Sequence, residues 1–400
     1  MSKHRRRIGT ALTSLALLAG CSRDGARGDE RDTGVVLNQN GVSSAEKKKA
    51  APERPMLAAA EAPQPTVDIS PLVDATPEAP EALAVAELPT STLRVPASIW
   101  ETNKSIRVSH AFAGRLVVAE VEFARLPKTT IREVSLKKAA PVLKRLARVD
   151  AISHTKDGLC FVEFPHDSKD GIHLKTVSAD GATVTSLLGG FDGGHRVVNC
   201  EGAPFWIAPV LQQGRVGGLG WIDPSSGKRA KLYPELGPAF SLTSGGGRVF
   251  FMAHARGGPD VIYSLATDGT DLRSHVKMAR GVLGIVVGAG FIYWSHLTSD
   301  GRSTDFGRVS IDGSKPPEAL ATLKGHVFQS LAFAGDGLVA ATSPAELPGH
   351  VVKIPADKSA PQAWSSVPRV WQVVGDEAGV FLHYEHSDKG TPVRSFARLK

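Results

Sequence analysis

The stretch Ile285-Val-Val-Gly-Ala-Gly-Phe-Ile-Tyr-Trp294, followed by Arg308-Val-Ser-Ile-Asp312-Gly313, decides the fold. An apolar strand runs into a glycine, a strongly aromatic strand leaves it, and a third strand ends in Asp-Gly. Large apolar residues at alternating positions suit a strand packed between neighbouring sheets. Asp-Gly tolerates positive φ at both central positions, so a tight two-residue hairpin is expected at Asp312-Gly313. Pro317-Glu-Ala-Leu-Ala321 reads as a shorter fourth strand.

The same unit recurs along the last three-quarters of the chain. Its pivot glycines are Gly114, Gly158, Gly202, Gly247, Gly290, Gly337 and Gly379, at spacings of 44, 44, 45, 43, 47 and 42 residues. Aromatic strands follow most of them, as in Pro204-Phe-Trp-Ile207, Val249-Phe-Phe-Met252 and Val380-Phe-Leu-His-Tyr384. Further Asp-Gly turns stand at Asp180-Gly181 and Asp268-Gly269, with Asp357-Lys358 as a variant. A period of roughly 40 to 50 residues with several strands per unit is the mark of a β-propeller. The sequence therefore predicts an all-β, seven-bladed propeller over residues 93–400, with six or eight blades as alternatives. The last unit ends after its third strand, near Leu399, so Leu93-Arg-Val-Pro-Ala-Ser-Ile-Trp100 is expected to supply the missing outer strand and close the ring. These repeats resemble TolB-like bacterial propellers, in which an aromatic strand precedes one ending in Asp-Gly.

The N-terminus carries an address. Met1-Ser-Lys-His-Arg-Arg-Arg7 is basic, Ile8 to Gly20 is apolar, and Cys21 follows. This is the order of a secretory signal, with an apolar core too short for a membrane-spanning helix. Leu18-Ala19-Gly20-Cys21 resembles the lipobox of bacterial lipoproteins. That resemblance implies a signal peptide over 1–20 and a palmitate-bearing Cys21 as first mature residue, holding the protein to a membrane. Ser22, in place of Asp, implies the outer membrane of the cell envelope, facing either periplasm or surface. Residues 21–92 are rich in Pro, Ala and Glu and poor in aromatics, so they read as a disordered tether.

Charge sets further limits. Residues 93–400 hold 36 basic and 28 acidic side chains, without a dense Lys/Arg stripe interleaved with aromatics. Nucleic acid is therefore not an expected partner. The export context allows a disulfide between Cys160 and Cys200, the two cysteines beyond Cys21.

Histidines gather where second strands end and inner strands begin, which is one rim of the ring. His166, His254, His296, His383 and His386 follow second strands, His195 and His326 precede inner strands, and His173 and His350 open third strands. His110, His154 and His275 lie elsewhere. A divalent metal held by members of the set His166, His195, His254, His296, His326 and His383 is the alternative to a protein without cofactors. No nucleophile elbow, P-loop or paired-cysteine metal motif occurs, so the sequence leans against an enzyme. The reading that follows is a monomeric, lipid-anchored binding or scaffold propeller that presents one rim to a protein, peptide or glycan. The alternative is a metal-dependent lyase or lactone hydrolase.

Overall fold

The structure is a computed structural model. It describes residues 70–80, 85–87, 95–124, 126–135, 138–166, 172–191, 196–200, 203–207, 219–222, 229–232, 236, 239–254, 258–376 and 378–399. The signal, Cys21 and most of the tether lie outside the described residues.

The chain is an all-β propeller with almost no helix; the single α-helix among the described residues is Ser70–Ala75. The described strands form antiparallel sheets that succeed one another along the chain. Sheet 1 holds Ser105–Phe112, Arg115–Glu122, Lys128–Ser135 and Lys138–Leu146. Sheets 2 to 6 repeat that meander, with inner strands Arg148–Thr155, Arg196–Cys200, Ala239–Gly245, Val282–Gly288 and Phe328–Phe333. Sheet 3, from Arg196 to Leu232, is described mainly through its backbone pairing. Sheet 7 contains Arg369–Asp376, Gly379–Asp388 and Thr391–Leu399, and its outermost strand is Ser98–Thr102. Trp100 pairs with Phe396 there, and their rings stack at 5.6 Å. The closing strand thus lies a few residues beyond the start expected at Leu93. Each inner strand lies against the next, and Arg369–Asp376 lies against Ser105–Phe112.

Burial explains the order of strands. The second strands are enclosed on both faces: Val249, Phe250, Phe251, Met252 and Ala253 are all buried, as is every residue of Gly337–Thr342. Core clusters therefore sit between sheets rather than at one centre. Tyr293, Phe306, Phe333 and Val352 join sheets 5 and 6, while Val339, Val351, Val373 and Leu382 join sheets 6 and 7. The middle of the ring is left as a channel.

The Asp-Gly turns differ from the expected hairpin. Only the glycine is left-handed, with φ of +74° at Gly181, +79° at Gly269 and +73° at Gly313. The aspartate side chain accepts a backbone N–H two residues on: Ala182 N and Asp180 Oδ1, Thr270 N and Asp268 Oδ1, and Ser314 N and Asp312 Oδ1 are each 2.9 Å apart. An Asx turn followed by one αL residue replaces a turn with two positive φ values. Lys358 fills the αL place after Asp357 at φ +65°.

The tether also needs correction. Residues 70–79 and 85–87 lie on the outer edges of sheets 4 and 5. Ala79 N donates to Lys277 O at 2.8 Å, and Val85 and Ala86 pair in parallel with Thr322 and Leu323. Main-chain bonds to the sheet edges hold this segment together with packing of Leu72, Val73 and Ala79 against the core.

Candidate functional site: the channel and its mouths

A channel of about 1110 Å³ runs between the inner strands. Its wall is largely uncharged, with Ser109, Thr243, Ser244 and Gln372 among aliphatic residues. Part of this polarity ties sheets together. Ser330 Oγ accepts Val373 N at 2.9 Å, joining sheets 6 and 7, and Gln372 donates to Ser109, joining sheets 7 and 1.

One irregularity recurs at the start of the inner strands. The pairing of inner with second strand skips one residue in sheets 1, 2, 4, 5, 6 and 7, whereas the described pairing of sheet 3 runs without a skip. The skipped residues are Arg107, Asp150, Ser241, Leu283, Gln329 and Trp371. A bulge leaves its residue out of the ladder and re-aims its side chain. Five of these six line the channel. Equivalent positions therefore carry a carboxylate, a hydroxyl, an aliphatic group, a carboxamide and an indole.

Charges at this mouth are neutralised locally. Asp150 accepts Arg107 Nε at 2.7 Å and Arg148 Nε at 2.8 Å. Burial alone would raise the Asp150 carboxyl, but the hydrogen bonds from Arg148 and Arg107 outweigh it and hold the group below the usual range. Arg394 and Arg369 lie over the Trp371 ring at 5.4 and 5.8 Å, and Glu385 pairs with Arg394 Nη1 at 2.7 Å. Behind Trp371, His383 stacks on Phe396 at 4.5 Å and is pushed down to about 3 by burial. Trp371 Nε1 and His383 Nε2 are buried without a hydrogen-bond partner in the protein.

The opposite mouth is made by the hairpins after the inner strands. Phe112, 44% exposed, lies face to face with His154 at 3.4 Å. His154 Nδ1 is 3.2 Å from His110 Nε2. Burial lowers both histidines, His110 to about 4 with help from its neighbour, which disfavours a charged pair. Asp376 accepts backbone N–H groups of Ala113 and Ala378 at 2.5 and 2.9 Å.

Of the rim histidines, His254, His296 and His326 each have a partner of their own. His254 Nδ1 meets Asp260, whose Oδ2 also accepts Gly281 N at 2.9 Å and Val282 N at 3.1 Å. His326 Nδ1 lies 2.8 Å from Glu346, which accepts Val327 N at 2.6 Å. His296 Nε2 donates to Ala279 O at 3.0 Å, with its Nδ1 3.9 Å from Asp305. Glu163 repeats the device without a histidine, accepting Ala147 N at 2.8 Å and Lys175 Nζ at 2.6 Å. These acids clip the connection between sheets, and the histidines serve as their partners. His166 is exposed, and His195 lies outside the described residues. Among the described residues, no group of three or more His, Cys, Asp or Glu side chains is placed to hold a metal ion.

Cys160 carries a free thiol, wholly buried in sheet 2, with its pKa pushed up to about 12 by burial. The side chain of its expected disulfide partner, Cys200, lies outside the described residues.

The bulged residues and the Phe112–His154 pair went unnoticed in the sequence. A signal for the first existed: each bulged residue stands six to eight positions before a pivot glycine, as Arg107 does before Gly114 and Trp371 before Gly379.

No protein-family model and no curated protein sequence matches the chain. Among solved structures it is similar to a prolyl endopeptidase at 11% identity, covering 74% of this chain and 50% of that one with a TM-score of 0.50. A puromycin-hydrolysing peptidase of Mycobacterium tuberculosis is similar at 13% identity, with 76% and 53% covered and a TM-score of 0.51. A putative TolB from Agrobacterium tumefaciens is similar at 14% identity, with 66% and 94% covered and a TM-score of 0.43. The chain spans about half the length of the two peptidases. At these identities the likeness is one of fold, the propeller, and not of chemistry.

Proposed function

We propose that this protein is a lipid-anchored envelope propeller that acts as a binding or scaffold module, taking a protein, peptide or glycan segment at the bulged mouth of its channel. The observation that carries this reading is the change of residue type at equivalent bulges, from Asp150 through Ser241, Leu283 and Gln329 to Trp371. A repeat built for stability alone gains nothing from varying them, whereas a recognition surface needs an aromatic platform beside distinct polar groups. In this reading Cys21 anchors the chain to the outer membrane and the N-terminal tether carries the ring away from it.

Binding is tested by titrating the purified protein with neutral oligosaccharides and uncharged peptides, read by tryptophan fluorescence and calorimetry. Trp371→Ala should weaken the ligand so found by tenfold or more, about 1.4 kcal/mol. Gln329→Ala, at an exposed position, should weaken it while leaving the melting temperature within about 2 °C of wild type. Binding unchanged by both substitutions would remove the mouth from consideration. Separately, Cys21→Ser should move the protein from membrane to soluble fraction; retention in the membrane refutes the anchor.

A further inference from the structure

Residues 77–79 and 85–86 form an added edge on sheets 4 and 5. Lys277 N donates to Pro77 O at 2.9 Å, Ala79 N donates to Lys277 O at 2.8 Å, and Val85–Ala86 pair with Thr322–Leu323. Two acid–lysine pairs flank this ladder, Glu78–Lys277 at 3.4 Å and Glu87–Lys324 at 3.6 Å. Both glutamates are largely exposed, with side chains 73% and 80% accessible, and such pairs hold weakly.

The fit beneath the strap is incomplete. A cavity of about 200 Å³ lies under Ala79 and Pro80, walled by Trp294, Phe306, His296 and Asp305. Ala79 packs against the core there, but its methyl group is too small to fill the space. The walls are aromatic on one side and polar on the other. Asp305 Oδ1 is engaged by Thr322 Oγ1 at 2.7 Å, while its other oxygen stands 3.9 Å from His296 Nδ1. Aromatic walls with a carboxylate and an imidazole at one end match a phenol better than a methyl group.

We propose that these outer edges form a docking groove for an extended, acidic peptide segment bearing a tyrosine where Ala79 now lies. Residues 77–80 and 85–87 occupy it as a weak internal ligand. Main-chain pairing to a sheet edge accepts any extended segment, and flanking charges and side-chain pockets choose among them. Lys277 and Lys324 select acidic residues, and the cavity selects the aromatic one. Tethering gives the internal segment a high effective concentration, so poor side-chain fit is what keeps the groove open to exchange. This surface lies on the outer strands and is independent of the channel mouth.

The test uses the full chain, its Ala79→Pro variant, which lacks the amide that bonds Lys277 O, and two fluorescent peptides. One peptide has the sequence of residues 70–87; the other carries Ala79→Tyr. Opening of the strap is read from hydrogen exchange at the Lys277 amide. The Ala79→Pro protein should bind both peptides more tightly than wild type does, and should bind the tyrosine peptide at least about tenfold more tightly than the native one. In the intact chain, Ala79→Tyr should slow exchange of the Lys277 amide by about tenfold or more. Equal affinity for the two peptides overturns the proposal, as does an Ala79→Tyr chain whose Lys277 amide exchanges at the wild-type rate.

Discussion

Asp260→Ala lowers the stability of the propeller by about 3–5 kcal/mol, which equilibrium unfolding in urea records as an earlier midpoint. The aspartate is 1% exposed and opens the third strand of sheet 4. Its Oδ2 accepts Gly281 N at 2.9 Å and Val282 N at 3.1 Å from the connection to sheet 5, while Oδ1 meets His254 Nδ1. Alanine leaves two linker amides and an imidazole nitrogen without their acceptor, each at the cost of a desolvated, unpaired polar group. The melting temperature should fall by about 10 °C. Asp260→Asn keeps one carbonyl oxygen for the amides and should recover about half of the loss. His254→Ala removes a side chain that is 29% exposed and should cost about 1 kcal/mol. The ordering matters more than the values. If His254→Ala proved as damaging as Asp260→Ala, the imidazole and not the linker amides would be the main client of the carboxylate.

That linker clip shows which part of the site was legible in the sequence. His254, His296 and His326 stand at or beside strand ends because a propeller rim follows directly from the repeat period, whereas His383 lies mid-strand against Phe396. The partners of His254 and His326 were not legible. Asp260 stands six residues after His254 and Glu346 twenty after His326, so neither pair has a helix- or strand-like spacing. The meander folds them together only once strand lengths are known, and His254 and His326 then each stand beside a carboxylate of their own. The bulged mouth was hidden for another reason. A bulge is one unpaired residue in an otherwise alternating strand, and residues as different as Asp150, Leu283 and Trp371 fill it. No composition marks that position.

The strands themselves were legible because second strands are buried on both faces and so are largely apolar, as Val249 to Ala253 are. Turn type was misjudged because Asp-Gly supports two geometries. The Asp180 carboxylate, accepting Ala182 N at 2.9 Å, settles the choice in favour of the Asx form. The strap escaped detection because its pairing runs from main chain to main chain and only a few of its side chains, Leu72, Val73 and Ala79, pack on the core, in a sequence otherwise rich in proline and alanine. Disorder inferred from composition holds for a segment that must bury itself, and fails for one that finds a free sheet edge.

Two buried histidines make the protein acid-labile in a defined window. His383, 4% exposed, is pushed down to about 3 by burial and the nearby Arg394 charge. His275, 6% exposed, is pushed down to about 4 by burial and by Arg248 and Arg273. In the unfolded chain both return to about 6.5, so between pH 6.5 and 4 the unfolded state binds protons that the folded state refuses. Stability is then complete above pH 6.5 and falls as pH drops towards the folded values, by about 1.4 kcal/mol per pH unit for each group. From pH 7.5 to pH 5 these two groups contribute a loss of about 4 kcal/mol, or about 10 °C in melting temperature. His383→Phe keeps a ring stacked between Trp371 and Phe396 while removing the titrating group. Other titrating groups act equally on both proteins, so the difference between the two pH profiles isolates His383. The variant should lose about 2 kcal/mol less than wild type over that interval. Profiles that run parallel from pH 7.5 to 5 would mean that His383 is charged in the folded ring. The stack behind Trp371 would then be an imidazolium against an aromatic face, and the channel mouth would carry a positive charge.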